Sequence, residues 1–276
     1  MKNYFMAATA VVLSAIILSS CKKENNPNKQ YPIPTNLKMM ASGYAAGAAT
    51  RVEVYAADSF FTGYNALFIA LYDSATNERQ VDADVELLPM MTMMGGMEHS
   101  SPFENATNSK PTDGLFECAV VYSMPSSTGN TWKLNVVVKN NKTGLQGTAS
   151  LDVDVAQPAL SRLKSITTLN DGTKLFVSVV KPFVPVVGVN DFEIAIHKKV
   201  SMTSFPAADN YTVTVDPQML SMGHGSPLNE NPVIDKNGHY KGKLNFTMSG
   251  DWRIFLTLSN NGTVADSTLY FDVIIP

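Results

Sequence analysis

Two short stretches carry the residue types best suited to chemistry. Residues 217–227 read PQMLSMGHGSP, and residues 89–102 read PMMTMMGGMEHSSP. Each sets methionines ahead of a single histidine, between two prolines. Thioether sulfur and imidazole nitrogen together make a soft ligand set of the kind that selects Cu(I). In the later stretch Met219, Met222 and His224 lie close together. In the earlier one Met91, Met93, Met94, Met97 and His99 offer more donors at looser spacing. Glu98 is the only carboxylate in either. Hard ions such as Ca²⁺, which want oxygen ligands, are therefore poorly served, and Zn²⁺ would want more His or Cys. The expected soft-metal ligands are Met219, Met222 and His224, with Met91, Met94, Met97 and His99 as the earlier set. The competing reading is that both stretches are hydrophobic loops covering the end of their own domain.

Other reactive side chains form no comparable group. There is no Gly-x-Ser-x-Gly elbow, no phosphate loop and no His-Glu-x-x-His helix, so the chain reads as a non-enzyme. His197, beside Lys198 and Lys199, is expected to be a solvated residue. His239 stands where the earlier half has Leu115, so any role it has is not shared by both halves. Cys118 shares the inward parity of Phe116 and Val120, and a buried apolar thiol is inert. Met124 and Met248 also take the inward parity of their strands. The Met/His loops are expected to enter those strands at the opposite end, roughly 25 Å away at ~3.3 Å per residue. Core packing is favoured for both methionines, with Met248 and Trp252 as outer partners of a metal only if the loop folds back. Trp132 and Trp252 read as large core aromatics, although an indole can also sit against a soft cation.

The elements that must position these loops can be read from composition and periodicity. Charged residues make up 16% of 276, against a usual ~25%, and the net charge is −3. No basic stripe interleaved with aromatics points to nucleic acid. Residues 5–18 are apolar but shorter than the ~20 a spanning helix needs. They follow Lys2 and end in Leu18-Ser19-Ser20-Cys21. This resembles a bacterial lipoprotein signal (residues 1–20). The resemblance implies cleavage before Cys21 and a diacylglycerol on its sulfur, with several acyl chains giving stable anchorage. The alternative is an ordinary secretory signal with a coincidental cysteine. Residues 21–34 then form a lipidated, proline-bearing polar tether with too few apolar residues to fold alone. Cys118 is left as the free thiol, and no intrachain disulfide is expected.

From Leu37 onward the chain repeats itself. Asn36-Leu37-Lys38 matches Arg162-Leu163-Lys164, and the segment from Gly63-Tyr64-Asn65 matches that from Gly188-Val189-Asn190 without a gap. The Met/His stretches follow in the same place, and Trp132 matches Trp252. The expected domains are residues 35–156 and 159–276, joined near Gln157-Pro158. Within each, apolar and polar residues alternate with period two: Tyr240, Leu244 and Phe246 in one strand, Trp252, Ile254, Leu256 and Leu258 in the next. Further strands are expected over 51–56, 66–72, 81–87, 145–155, 174–180, 192–197, 211–215 and 264–274. One apolar face per strand implies half-buried antiparallel sheets. About seven strands per half predict an all-β chain of two tandem immunoglobulin-like sandwiches, with a small barrel as the alternative.

The run Pro-x-Met-x-x-Met-Gly-His-Gly, followed by Gly-His-Tyr-x-Gly-x-Leu-x-Phe-x-Met-x-Gly-Asp-Trp, resembles the YtkA-like domain, a relative of FixH-type envelope proteins. The later half matches it well from about residue 163, and the earlier half more loosely. The resemblance implies an extracytoplasmic β-sandwich, sometimes linked to metal efflux or copper-oxidase assembly, with Met222, His224, Met248 and Trp252 on the motif. Gly95 and His99 are separated in the earlier half, which departs from it. The expected protein is an envelope lipoprotein on the periplasmic or surface side, at the outer membrane, binding Cu(I) and passing it to an envelope partner. The alternative is an adhesion or scaffold module whose methionine-rich loops are adaptable contact surfaces.

Overall fold

The computed structural model describes residues 30–276. The leader, Cys21 and most of the tether lie outside the described residues. The period-two patterns appear as antiparallel strands: β1 (Lys38–Ala45), β2 (Thr50–Ala56), β3 (Gly63–Asp73), β4 (Arg79–Gln80), β5 (Ala83–Thr92), β6 (Glu98–Ser100), β7 (Phe103–Glu104), β8 (Phe116–Tyr122), β9 (Thr131–Asn140) and β10 (Gln146–Val153). They continue as β11 (Leu163–Thr167), β12 (Lys174–Lys181), β13 (Gly188–Lys198), β14 (Thr212–Met219), β15 (His224–Gly225), β16 (Glu230–Lys236), β17 (His239–Phe246), β18 (Gly250–Asn260) and β19 (Thr263–Ile275).

Four sheets result. One runs β1-β2-β3-β8-β7 and its partner β10-β9-β5-β6; the next runs β11-β12-β13-β17-β16 and its partner β15-β14-β18-β19. The second pair repeats the strand order of the first. The chain is all-β, built of two antiparallel β-sandwiches. Trp132, Phe116, Leu67, Ile69 and Tyr122 are buried in the first core, and Trp252, Phe246, Phe192, Ile194 and Tyr240 in the second.

The prolines at 89 and 217, taken from sequence as loop boundaries, lie inside strands. Pro89 is opposite Leu134 and Pro217 opposite Ile254. Strand prolines are tolerated at open edges, and both sites are edges: β6 pairs only with Met90, Met91 and Thr92, and β15 only with Gln218 and Met219. Next to these short hairpins the open edge is covered by side chains. Asn105 Oδ1 accepts from the Leu87 amide at 2.8 Å, and Asn231 Oδ1 from the Val215 amide at 3.0 Å.

The two Met/His loops are thus tight hairpins. They also lie at the same end as Met124 and Met248, not the opposite one. The strands β7 and β16 run antiparallel to β8 and β17 and carry the chain back along the sandwich before those strands begin. β8 and β17 therefore finish beside the hairpins.

A third packing surface joins the sandwiches, with β12 against β3. Glu193, Ala195 and His197 alternate with the core residues Phe192, Ile194 and Ile196, so they point out of the second sandwich, yet all three are buried.

Candidate functional site

In the first hairpin Met91 pairs across the sheet with His99 on one side and Trp132 on the other. Directly opposed residues face the same way, so the three side chains form a row at the end of the core. In the second hairpin Met219 pairs with His224, and the register of Gln218 opposite Arg253 brings Met219 beside Trp252. The geometry agrees in detail. Each imidazole sits edge-on to its indole, His99 to Trp132 at 5.7 Å and His224 to Trp252 at 5.6 Å. Each His Nδ1 lies 2.9 Å from the carbonyl of the next residue, Ser100 or Gly225. A carbonyl can only accept, so Nδ1 carries a proton, and in the neutral ring this leaves Nε2 as the nitrogen with the lone pair. Each indole N–H donates to a methionine carbonyl, Trp132 to Met124 at 2.9 Å and Trp252 to Met248 at 3.1 Å.

The sulfurs divide into two groups. Met91 and Met219, the row's own sulfurs, are buried, and a Cβ at Gly250 would collide with the Met219 methyl group. Met94, Met97 and Met222 stand in the hairpin turns, 82%, 60% and 64% exposed. The turns close through Met93 and Met97 in one case and Met219, Met222 and Gly223 in the other. Gly223 at φ 67° and Gly95 and Gly96 at φ 96° and 81° supply the left-handed conformations required. The extra residues between Gly95 and His99 only lengthen the first turn; His99 still lies opposite Met91. Met248, expected in the core, is instead 41% exposed because β17 ends at Phe246 and leaves it in the turn, and it enters through its carbonyl. Met124 packs partly buried against the first core, and Trp252 enters through direct contact with His224. Among the described residues no group of three His, Cys, Asp or Glu is placed to hold a metal, so methionine and histidine are the donor chemistry on offer.

A second constellation was not singled out from sequence. His239 Nε2 is 2.8 Å from Glu104 Oε1, and its Nδ1 is 2.7 Å from Glu193 Oε1. Both carboxylates accept, so both ring nitrogens donate, and the ring is an imidazolium. Desolvation works against that charge, but the two carboxylates outweigh it and hold the His239 pKa up at about 9. Tyr64 donates to Glu104 at 3.1 Å, and its ring stands edge-on to His239. His197, expected in solvent, is 2% exposed beneath this cluster, and burial pushes its pKa down to about 4. Cys118 lies in the first core as expected, its thiol pushed up to about 12 by burial. A cavity of about 470 Å³ runs past Tyr64, Glu104, Cys118 and His197. Sequence proximity gave no sign of this group, since Glu104 and Glu193 lie 135 and 46 positions from His239.

A YtkA-like family model matches residues 170–257, a span that contains Met219, Met222, His224, Met248 and Trp252. No curated protein matches the chain. Among solved structures, the Escherichia coli adhesin FdeC is 16% identical at a TM-score of 0.27, covering 85% of this chain and 66% of its own. A C-terminal fragment of intimin, solved with the intimin-binding domain of its translocated receptor, is 12% identical at 0.24, covering 81% and 63%. A red sea bream transglutaminase is 9% identical at 0.21, covering 88% and 32%. The chain thus spans somewhat under two thirds of the first two structures. None of these likenesses assigns an activity.

Proposed function

We propose that this chain is a non-catalytic, lipid-anchored envelope protein whose two hairpins bind a soft metal, Cu(I), for handling or transfer to an envelope partner. The observation that carries the reading is the row of methionine, histidine and tryptophan built twice with the same hydrogen bonds. An imidazole whose Nδ1–H is held by a carbonyl is fixed in the tautomer that offers Nε2 to a metal. An exposed thioether in the adjoining turn supplies a soft second donor, Met222 in one hairpin and Met94 or Met97 in the other. The metal is cargo here. The chain's own part is to orient the imidazole against the indole and present sulfur beside it.

The test is anaerobic competition with a Cu(I) chelator in a His99→Ala background, so that only one hairpin reports, comparing that protein with the same protein carrying Met222→Leu or His224→Ala. Leucine keeps the volume and removes the sulfur. Affinity should fall at least tenfold in both variants. Equal affinities, or no binding at micromolar copper, would rule the reading out.

The exposure of Met94, Met97 and Met222 also favours a second reading, an adhesion or scaffold module gripping a protein through adaptable methionines. On that reading His224→Ala leaves partner binding nearly unchanged. The anchor is tested separately: Cys21→Ala should abolish incorporation of labelled fatty acid and release the protein from membranes. Continued labelling of that variant would remove the lipoprotein assignment.

A further inference from the structure

The turn between β12 and β13 reads Pro182-Phe183-Val184-Pro185-Val186-Val187 and runs on into Gly188-Val189. Phe183, Val184, Val186, Val187 and Val189 each expose half of their surface or more. No charged residue interrupts the run between Lys181 and Asp191. Its backbone is held in place. Asn190 accepts from the Val186 amide at 2.9 Å and donates to the carbonyls of Val186 and Gly188. Arg162 donates to the carbonyls of Pro182 and Phe183 and stacks over the Phe183 ring at 5.1 Å. The apolar surface continues into a groove of about 310 Å³ that includes Leu160, Pro185, Phe271 and Ile274.

Where the chain enters the fold identifies the occupant. Phe183 touches Phe61 with ring centroids 5.9 Å apart. Phe61 lies just beyond Ala56, and Ala56 pairs with Lys38, the first residue of β1. At ~3.4 Å per residue, and allowing for the two phenylalanine side chains and the step between paired strands, this turn is within roughly 40 Å of the point where the tether joins β1. From Cys21 to Leu37 the chain can span at most about 55 Å. A lipid on Cys21 and this turn can therefore reach one bilayer. Arg162 and Lys181 stand at the base of the apolar run, at headgroup level if the tip enters the membrane.

We propose that residues 182–189 are a membrane-insertion loop, which seats the second sandwich on the bilayer that holds the anchor. The inference rests on the lipid-anchored part of the reading above and is independent of copper. The test uses the chain from Lys22 onward, which has the tether and both sandwiches but no lipid. It should co-sediment with vesicles of phosphatidylethanolamine and phosphatidylglycerol, and Val184→Asp with Val187→Asp should lower partitioning at least tenfold. In a second measurement, the indole emission introduced by Phe183→Trp should be quenched by brominated lipid. Absence of partitioning, equal partitioning of the double variant, or emission that brominated lipid leaves unquenched would overturn the proposal. So would a concentration-dependent dimer that the double variant abolishes, because the loop would then cover a second copy. Vesicle binding without fatty-acid labelling in cells would remove the anchor and leave the loop standing.

Discussion

His239 is a single residue with obligations to both sandwiches. Its protonated ring satisfies Glu104 from the first and Glu193 from the second, and Lys181 adds a 3.5 Å contact to Glu193. Replacing one member of such a buried group leaves the others uncompensated, which costs ~3 kcal/mol or more. His239→Gln should therefore lower the urea midpoint by a corresponding amount, and the loss should shrink when Glu193→Gln is added. A full-sized loss in the double variant would show that the ring only fills space. The sequence made the soft donors legible because Met219, Met222 and His224 are close in the chain. It hid the His239 cluster because three strands far apart in sequence bring its members together.

At the level of elements, period-two alternation located the strands, but prolines misled. Pro89 and Pro217 read as loop boundaries, yet each sits where the neighbouring hairpin strand has ended, so its missing N–H costs no ladder bond. His197 points outward from its own sandwich. Expecting solvent there failed because the other sandwich covers that face. The Gly-x-Asn match between 63–65 and 188–190 was visible as repetition, and its reason is structural. Asn65 braces Phe61 and Gly63 by the same three bonds that Asn190 makes to Val186 and Gly188. Asn190→Ala should cost ~2 kcal/mol and open residues 182–189 to protease. Hydrogen exchange at Val186 should rise in step, and unchanged protection there would contradict the bracing role.

For the whole molecule, the surface between the sandwiches makes stability depend on pH in two directions. His239 has its folded pKa raised from 6.5 to about 9, so its contribution is complete below pH 6.5 and is lost as pH rises through about 9. His197 is depressed from 6.5 to about 4; below 6.5 the unfolded chain takes up a proton that the buried ring refuses, and stability falls toward pH 4. Glu193, lowered by its bond to His239, adds to the acid side. Glu104, Tyr64, Lys181, Lys241 and Asp209 complete the charged and titratable surroundings of these groups. The melting temperature should peak near pH 6.5. His239→Gln should flatten the alkaline limb and keep the acid limb, and a profile falling only on the acid side in the wild type would refute the assignment.

The asparagines that cover the open margins of β5 and β14 have a further consequence. An unpaired strand margin is a template on which any extended chain can add itself, and in a crowded compartment such addition grows into fibres. Asn105 occupies the Leu87 amide and Asn231 the Val215 amide, while Pro89 and Pro217 remove one donor each from the same rows. A visiting strand would find its hydrogen-bond ladder interrupted within a few residues. Copies of the chain at high local density can thus lie with their sheet margins side by side and still stay unpolymerised.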